Sequence, residues 1–140
     1  RGSYATAIDP EEILVEVRYP RHPRYFTFHE INRRHNDFAV VSLAVAGDRD
    51  NDGTWRNVRI GLGGVDEMPI LARRAMACCE GTRLEARDIG EAAEAAAGEI
   101  NPPSDVRASA EYRRHLTSVH LGRALTSLRA AVDGRREEIP

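Results

Sequence analysis

The stretch Tyr25–Ala39, YFTFHEINRRHNDFA, decides how this chain folds. It opens on residues that favour a pleated strand: Tyr25, Phe26, Thr27 and Phe28. A dense polar cluster follows, made of His29, Glu30, Asn32, Arg33, Arg34, His35, Asn36 and Asp37. The chain then returns to an apolar run, Phe38-Ala39-Val40-Val41. A polar cluster between two strands of one core is either a solvated turn or the edge of a site. Alternate residues of a strand share a face, so His29, Ile31, Arg33, His35 and Asp37 line up if the strand runs on. Cations and a carboxylate on one face would border a planar anionic or polar cofactor.

Working outward, the first half of the chain reads as strands. Ile13, Val15 and Val17 alternate with Leu14, Glu16 and Arg18 until Pro20 and Pro23 stop the pattern. Tyr25 to Ile31 is a second strand and Phe38 to Ala46 a third, apolar enough to be central. Trp55 to Leu62 is a fourth, with Val58, Ile60 and Leu62 on one face. The turn-forming GDRDNDGT between the last two makes them a hairpin.

The second half reads as helices. Pro69 suits a first helical turn, predicting a helix over Ile70 to Glu80 closed by Gly81. Asp88 and Glu91 form a capping box for a helix that runs to about Ile100. Asn101-Pro102-Pro103 ends it. Ser109 caps a last helix whose Leu121, Leu125, Leu128 and Val132 make one apolar stripe. Gly134 to Glu138 reads as a frayed polar tail. Strands first and helices second predict an α+β fold: a small antiparallel sheet of three to four strands, followed by three helices packed on one face.

The 140 residues suit a single domain with one core, spanning 1–140. A net charge of −2 argues against a general binder of nucleic acid or of anionic membranes. All 20 basic residues are Arg, which reads as genome composition. Cys78 and Cys79 are adjacent, so they offer neither the usual structural disulfide nor zinc-ligand spacing, and the chain reads as reduced and cytoplasmic. There is no signal peptide and no run of about 18 apolar residues to span a bilayer. The chain starts on Arg1, which reads as processed, trimmed or a piece of something longer.

Several residue groups carry possible chemistry. Asp48, Asp50, Asp52 and Gly53 match the start of a calcium loop, but Arg59 stands where the bidentate Glu belongs, and strands replace the flanking helices. A polar hairpin turn is favoured there. Gly61, Gly63 and Gly64 follow a strand as phosphate loops do, yet they fit no phosphate-binding pattern and no Lys exists to reach a phosphate. Tight turns with close backbone approach explain them better. His115 and His120 are five apart and do not share a helix face. Tyr112, Arg113 and Arg114 read as an anchor for the last helix. No metal ligands and no catalytic residue are assigned.

The ordered set FHEINRRHNDFAVVSLAVA, a hairpin, VRIGLGGV with Pro69 and Arg73 soon after, and SAEYRRHL resembles one family. It is similar to the C-terminal domain of the FAD-binding (medium) subunit of molybdenum hydroxylases, of the aerobic carbon monoxide dehydrogenase and xanthine dehydrogenase types. The resemblance runs from about Tyr4 to Ala131. The lead-in AIDPEEILVEVRYP is similar to the link from the preceding FAD domain, so residues 1–12 are expected to be that link.

The resemblance implies an oxidoreductase complex. Its partners are the upstream FAD-binding domain, a molybdopterin large subunit and a [2Fe-2S] small subunit that passes electrons to FAD. It implies a wall of the flavin site, with cofactor-binding residues His29, Arg33, Arg34 and Asp37. His29 or Glu30 falls where some relatives place a Lys near the flavin, and this chain has no Lys. The glycine-rich FAD loops belong to the upstream domain, so this chain is not expected to hold FAD alone or to be catalytic alone. The alternative is a non-redox interaction module that kept the fold without the cofactor.

Overall fold

The computed structural model describes residues 6–21, 23–35 and 37–132. The start of the expected link, residues 1–5, and the polar tail from Gly134 lie outside the described residues. The chain lays down four strands, β1 (Tyr25–Ile31), β2 (Val41–Arg49), β3 (Trp55–Gly63) and β4 (Ile70–Leu71). Three helices follow: α1 (Arg73–Cys79), α2 (Ala86–Glu99) and α3 (Ala110–Val132). The sheet is antiparallel throughout, in the order β1-β2-β3-β4, and the helices cover one face. This is the α+β architecture that the order of patterns predicts.

Period-2 alternation sets the sheet's two faces. Val41, Leu43 and Val45 of β2 and Val58, Ile60 and Leu62 of β3 point into the core. Leu121, Leu125 and Leu128 of α3 meet them as the predicted stripe, all fully buried. Trp55 is also fully buried and stands edge-on to Tyr25, 5.8 Å between ring centres. Each such large side chain contributes about 1.5–3 kcal/mol when removed from water.

A β-bulge lets Trp55 and Val58 both face inward although they are three residues apart. Asn57 sits there with φ 53°, a left-handed conformation that Asn tolerates. The Glu80 carboxylate accepts the bulge's two free N–H groups, from Asn57 and Val58, each at 3.1 Å.

Four predicted elements are corrected. Residues 13–17 are not a strand of the sheet, and Ile13, Val15 and Val17 are exposed. A strand needs a ladder partner and a buried face, and no described neighbour supplies either. The strand expected from Phe38 begins at Val41, after Val40 N–H closes the loop on Ile31 O at 2.7 Å. Ile70 and Leu71 pair with β3 instead of opening a helix, and α1 starts at Arg73. Pro69 therefore precedes a strand, and its fixed φ suits that entry equally well.

The fourth correction is the cap of α2, which starts at Ala86 with Asp88 accepting the Glu85 N–H at 2.9 Å. Glu91 instead pairs with Arg87 one turn back, at 2.7 Å. The cap of α3 is as read: Ser109 Oγ accepts the Tyr112 N–H at 3.1 Å.

Candidate functional site

The polar cluster forms a loop between β1 and β2 at one end of the sheet, beside the loop that leads into α3. The strand does not run on past Ile31, so its parity stops there. Arg33 and Arg34 are exposed on the loop and line a shallow cleft with Glu30, Asn32 and His35. Local bonds hold the loop's shape. Asn32 Nδ2 donates to Asp37 O at 2.9 Å, Asp37 N–H donates to Arg34 O at 3.3 Å, and Asp37 Oδ1 accepts the Phe38 N–H at 2.8 Å.

Arg33 and Arg34 make no ion pair with Glu30 or Asp37 among the described residues. Arg33 Nη1 instead donates to Val106 O on the second loop, at 3.1 Å. Asn32 Oδ1 is buried there and accepts no hydrogen bond among the described residues. The cluster thus brings Arg33 and Arg34 together with His35 and Glu30.

His29 lies elsewhere. It faces the helices and meets His120 of α3 edge-on, with ring centres 6.1 Å apart. Burial, and then the Arg123 guanidinium, push both imidazoles below their ordinary pKa. This contact joins residues 91 positions apart (120 less 29), and no local pattern marks it.

The second loop was not visible in the sequence as part of this end. Arg107 stacks over Phe38 at 5.1 Å, and Phe38 itself is 75% exposed. Arg113 at the start of α3 ties both loops to the sheet. Its buried guanidinium donates to Val40 O, to Gly64 O at 3.0 Å and to Asp105 Oδ2 at 2.9 Å. Asp105 in turn accepts the N–H groups of Ala108 and Arg107, which hold its carboxyl below the usual range, with Arg113 adding to them. The anchoring role of Arg113 is as read, while Tyr112 is half exposed.

The other candidate groups serve the fold. Asp48 accepts bonds from Arg24 N–H (2.8 Å) and Asn57 Nδ2 (3.1 Å). Asp50 pairs with Arg56 and Asp52 accepts the Thr54 N–H, so the three carboxylates shape the hairpin end. Gly64 has φ +73°, and a Cβ there would stand 2.5 Å from Val40 O. A Cβ on Gly63 would meet Ser42 Oγ at 2.6 Å. These two glycines are consumed by close approach within the chain. Burial pushes the Cys79 thiol up to about 12, so it is inert at neutral pH.

The guanidinium groups of Arg33 and Arg34, exposed together in one cleft, can donate to a planar ligand that presents hydrogen-bond acceptors.

Residues 26–128 match the family model described as the CO dehydrogenase flavoprotein C-terminal domain. The chain is 32% identical over 132 residues to the carbon monoxide dehydrogenase medium chain of Afipia carboxidovorans, covering 93% of this chain and 46% of that protein. It is 24% identical over 138 residues to the xanthine dehydrogenase FAD-binding subunit of Escherichia coli O157:H7, covering 96% of this chain and 47% of that protein. Among solved structures, reconstituted CO dehydrogenase from Oligotropha carboxidovorans superposes with a TM-score of 0.85 at 32% identity, over 93% of this chain and 46% of that one. The chain spans a little under half the length of these relatives.

Proposed function

The chain belongs to the CO dehydrogenase flavoprotein C-terminal domain family, and on that premise we propose that it completes the FAD site of a molybdenum hydroxylase. In this reading residues 1–140 are the C-terminal domain of the FAD subunit, and residues 1–12 lead in from an upstream FAD-binding domain. The complex adds a molybdopterin large subunit and a [2Fe-2S] small subunit, and works in the cytoplasm. No helix among the described residues is long and apolar enough to cross a membrane.

The observation that carries the proposal is the loop cleft, where Arg33 and Arg34 have no carboxylate partner among the described residues inside the matched region. FAD, when bound, supplies the electron-carrying chemistry. The chain's own residues supply position and field. Arg33 and Arg34 present fixed positive charge to one edge of the ring system. Asp37 keeps the loop folded back through the Phe38 N–H, and Arg113 fixes the loop to the sheet. His29 acts from behind the strand, where its packing on His120 sets the end of β1.

The test is reconstitution with the upstream half of the A. carboxidovorans medium chain. The chain alone stays colourless, and the pair retains flavin. Arg33→Met with Arg34→Met weakens flavin retention by at least about tenfold, as expected where even one charge-assisted contact is worth about 1.5–3 kcal/mol. Equal retention by the variant removes these residues from the site. A pair that forms without any flavin favours the non-redox interaction module.

A further inference from the structure

The lead-in and one end of the sheet border a cavity of about 1220 Å³. Tyr19, Arg21 and Arg24 reach it from the lead-in, Asp48 from β2, and Asn57 and Arg59 from β3. The Arg33–Arg34 cleft lies at the opposite end. β1 spans the distance between them in six residue steps (31 less 25), about 20 Å. The cavity is therefore separate from the cleft.

Its charge is unbalanced. Three guanidinium groups line it with one carboxylate, an excess of two positive charges (three less one). That carboxylate is already engaged: Asp48 accepts the Arg24 N–H at 2.8 Å and Asn57 Nδ2 at 3.1 Å. Arg56, Arg87, Arg113 and Arg129 each pair with a carboxylate, whereas among the described residues Arg21, Arg24 and Arg59 pair with none. In a chain of net charge −2 this is a local concentration of unneutralised charge.

The three groups are also held in place. Pro20 and Pro23 fix φ on either side of Arg21. Arg24 is pinned through its backbone to Asp48, and its guanidinium stands over the Tyr25 ring at 5.6 Å. Arg59 Nη1 donates to Val58 O at 3.0 Å, and a guanidinium with five N–H groups keeps the rest of its fork for a ligand.

Guanidinium forks pair with phosphate and with carboxylate. Forks that arrive from the lead-in and from β3 together need acceptor oxygens on several sides. A tetrahedral phosphate has them, and a flat carboxylate does not. Salt screens the attraction beyond about 8 Å, so an acidic chain with one basic cavity selects a short anion over a long polyanion. We propose that this cavity binds a diphosphate group, either free or at the end of a small nucleotide. Two adjacent phosphoryl groups match an excess of two charges and engage all three forks. Tyr19, 86% exposed at the rim, offers a ring on which a base can stack.

The test is calorimetry of the chain with inorganic diphosphate, ADP and adenosine at physiological ionic strength. Diphosphate binds, and Arg21→Met with Arg59→Met weakens it at least about tenfold. The melting temperature holds, because both residues are exposed. Arg73→Met with Arg83→Met removes the same charge from exposed positions outside the cavity and leaves binding intact. ADP that binds more tightly than diphosphate, with the surplus lost in Tyr19→Ala, makes the ligand a nucleotide; equal affinity makes it free diphosphate. No binding up to about 10 mM diphosphate overturns the proposal. So does equal weakening by the two double variants, which reduces the effect to net charge. Adenosine that binds as tightly as ADP overturns it too, because the phosphates then contribute nothing.

Discussion

Removing the Arg113 guanidinium by Arg113→Met keeps most of the buried stem and deletes the donors. Val40 O loses its donor while its residue remains 2% exposed, a cost of about 1–3 kcal/mol. Gly64 O belongs to an exposed residue and recovers water, so its loss adds about 0.5–1 kcal/mol. Asp105 is 41% exposed, so the ion pair itself is worth at most about 1 kcal/mol. Against these, the variant no longer buries a charge whose Nε lacks a partner, which returns about 1–2 kcal/mol. The net loss is about 2 kcal/mol.

For a domain of 140 residues that lowers the melting temperature by about 6–8 °C. Urea unfolding measures the free energy, and a lower midpoint with an unchanged slope marks a true stability loss. Amide exchange should quicken first at Val40 and Val65, ahead of α2. A loss below about 0.5 kcal/mol, with exchange unchanged at Val40, refutes the role assigned to Arg113.

Two further outcomes follow from the carboxylates and imidazoles. Glu99 at the end of α2 accepts the N–H groups of Arg74 and Ala75, at 3.1 and 3.2 Å, and so caps α1 from a neighbouring helix. Glu99→Ala should cost about 1–2 kcal/mol in urea unfolding, while Glu94→Ala on the exposed face of α2 should change little. His29 and His120 both have folded pKa values below the ordinary 6.5, so their neutral forms belong to the folded state. Their contribution is complete above pH 6.5 and is lost as pH falls through the lowered values. Melting temperature should therefore drop as pH falls below about 6.5, and His120→Gln should flatten that drop; a wild-type curve that stays flat below pH 6.5 removes the pair as a stability determinant.

The elements that were legible in the sequence carry strong local periodicity. Val58, Ile60 and Leu62 alternate, and Leu121, Leu125 and Leu128 follow a helical step, so burial and sequence agree. Residues 13–17 carry the same alternation and stay out of the sheet, because a pattern states a preference for a buried face without supplying one. β4 was missed because two residues hold too little pattern to compete with the helix signal behind them.

At the candidate site the polar loop was visible, and Arg33, Arg34 and His35 do share a cleft. The partners that shape it were not visible. Arg113, Arg107 and His120 reach it or its strand across 73, 69 and 91 positions (113 less 40, 107 less 38, 120 less 29), and only the fold makes them neighbours. In a chain with 20 arginines, nothing local distinguishes the buried one.

The outer side of β3 is closed by two short pieces of chain in place of one long strand. Ile70 and Leu71 pair with its second half, and Ala72 N–H donates to Ile60 O at 2.9 Å. Around Trp55, Thr82 O accepts the Trp55 N–H and Gly81 N–H donates to Trp55 O, at 2.7 and 2.9 Å. Among the described residues, β1 is therefore the sheet's one long edge, because β4 at the other end has only two residues. A sheet with two long edges can add copies without end, as fibrils do. A sheet with one can pair edge to edge a single time, and growth then stops at a closed pair.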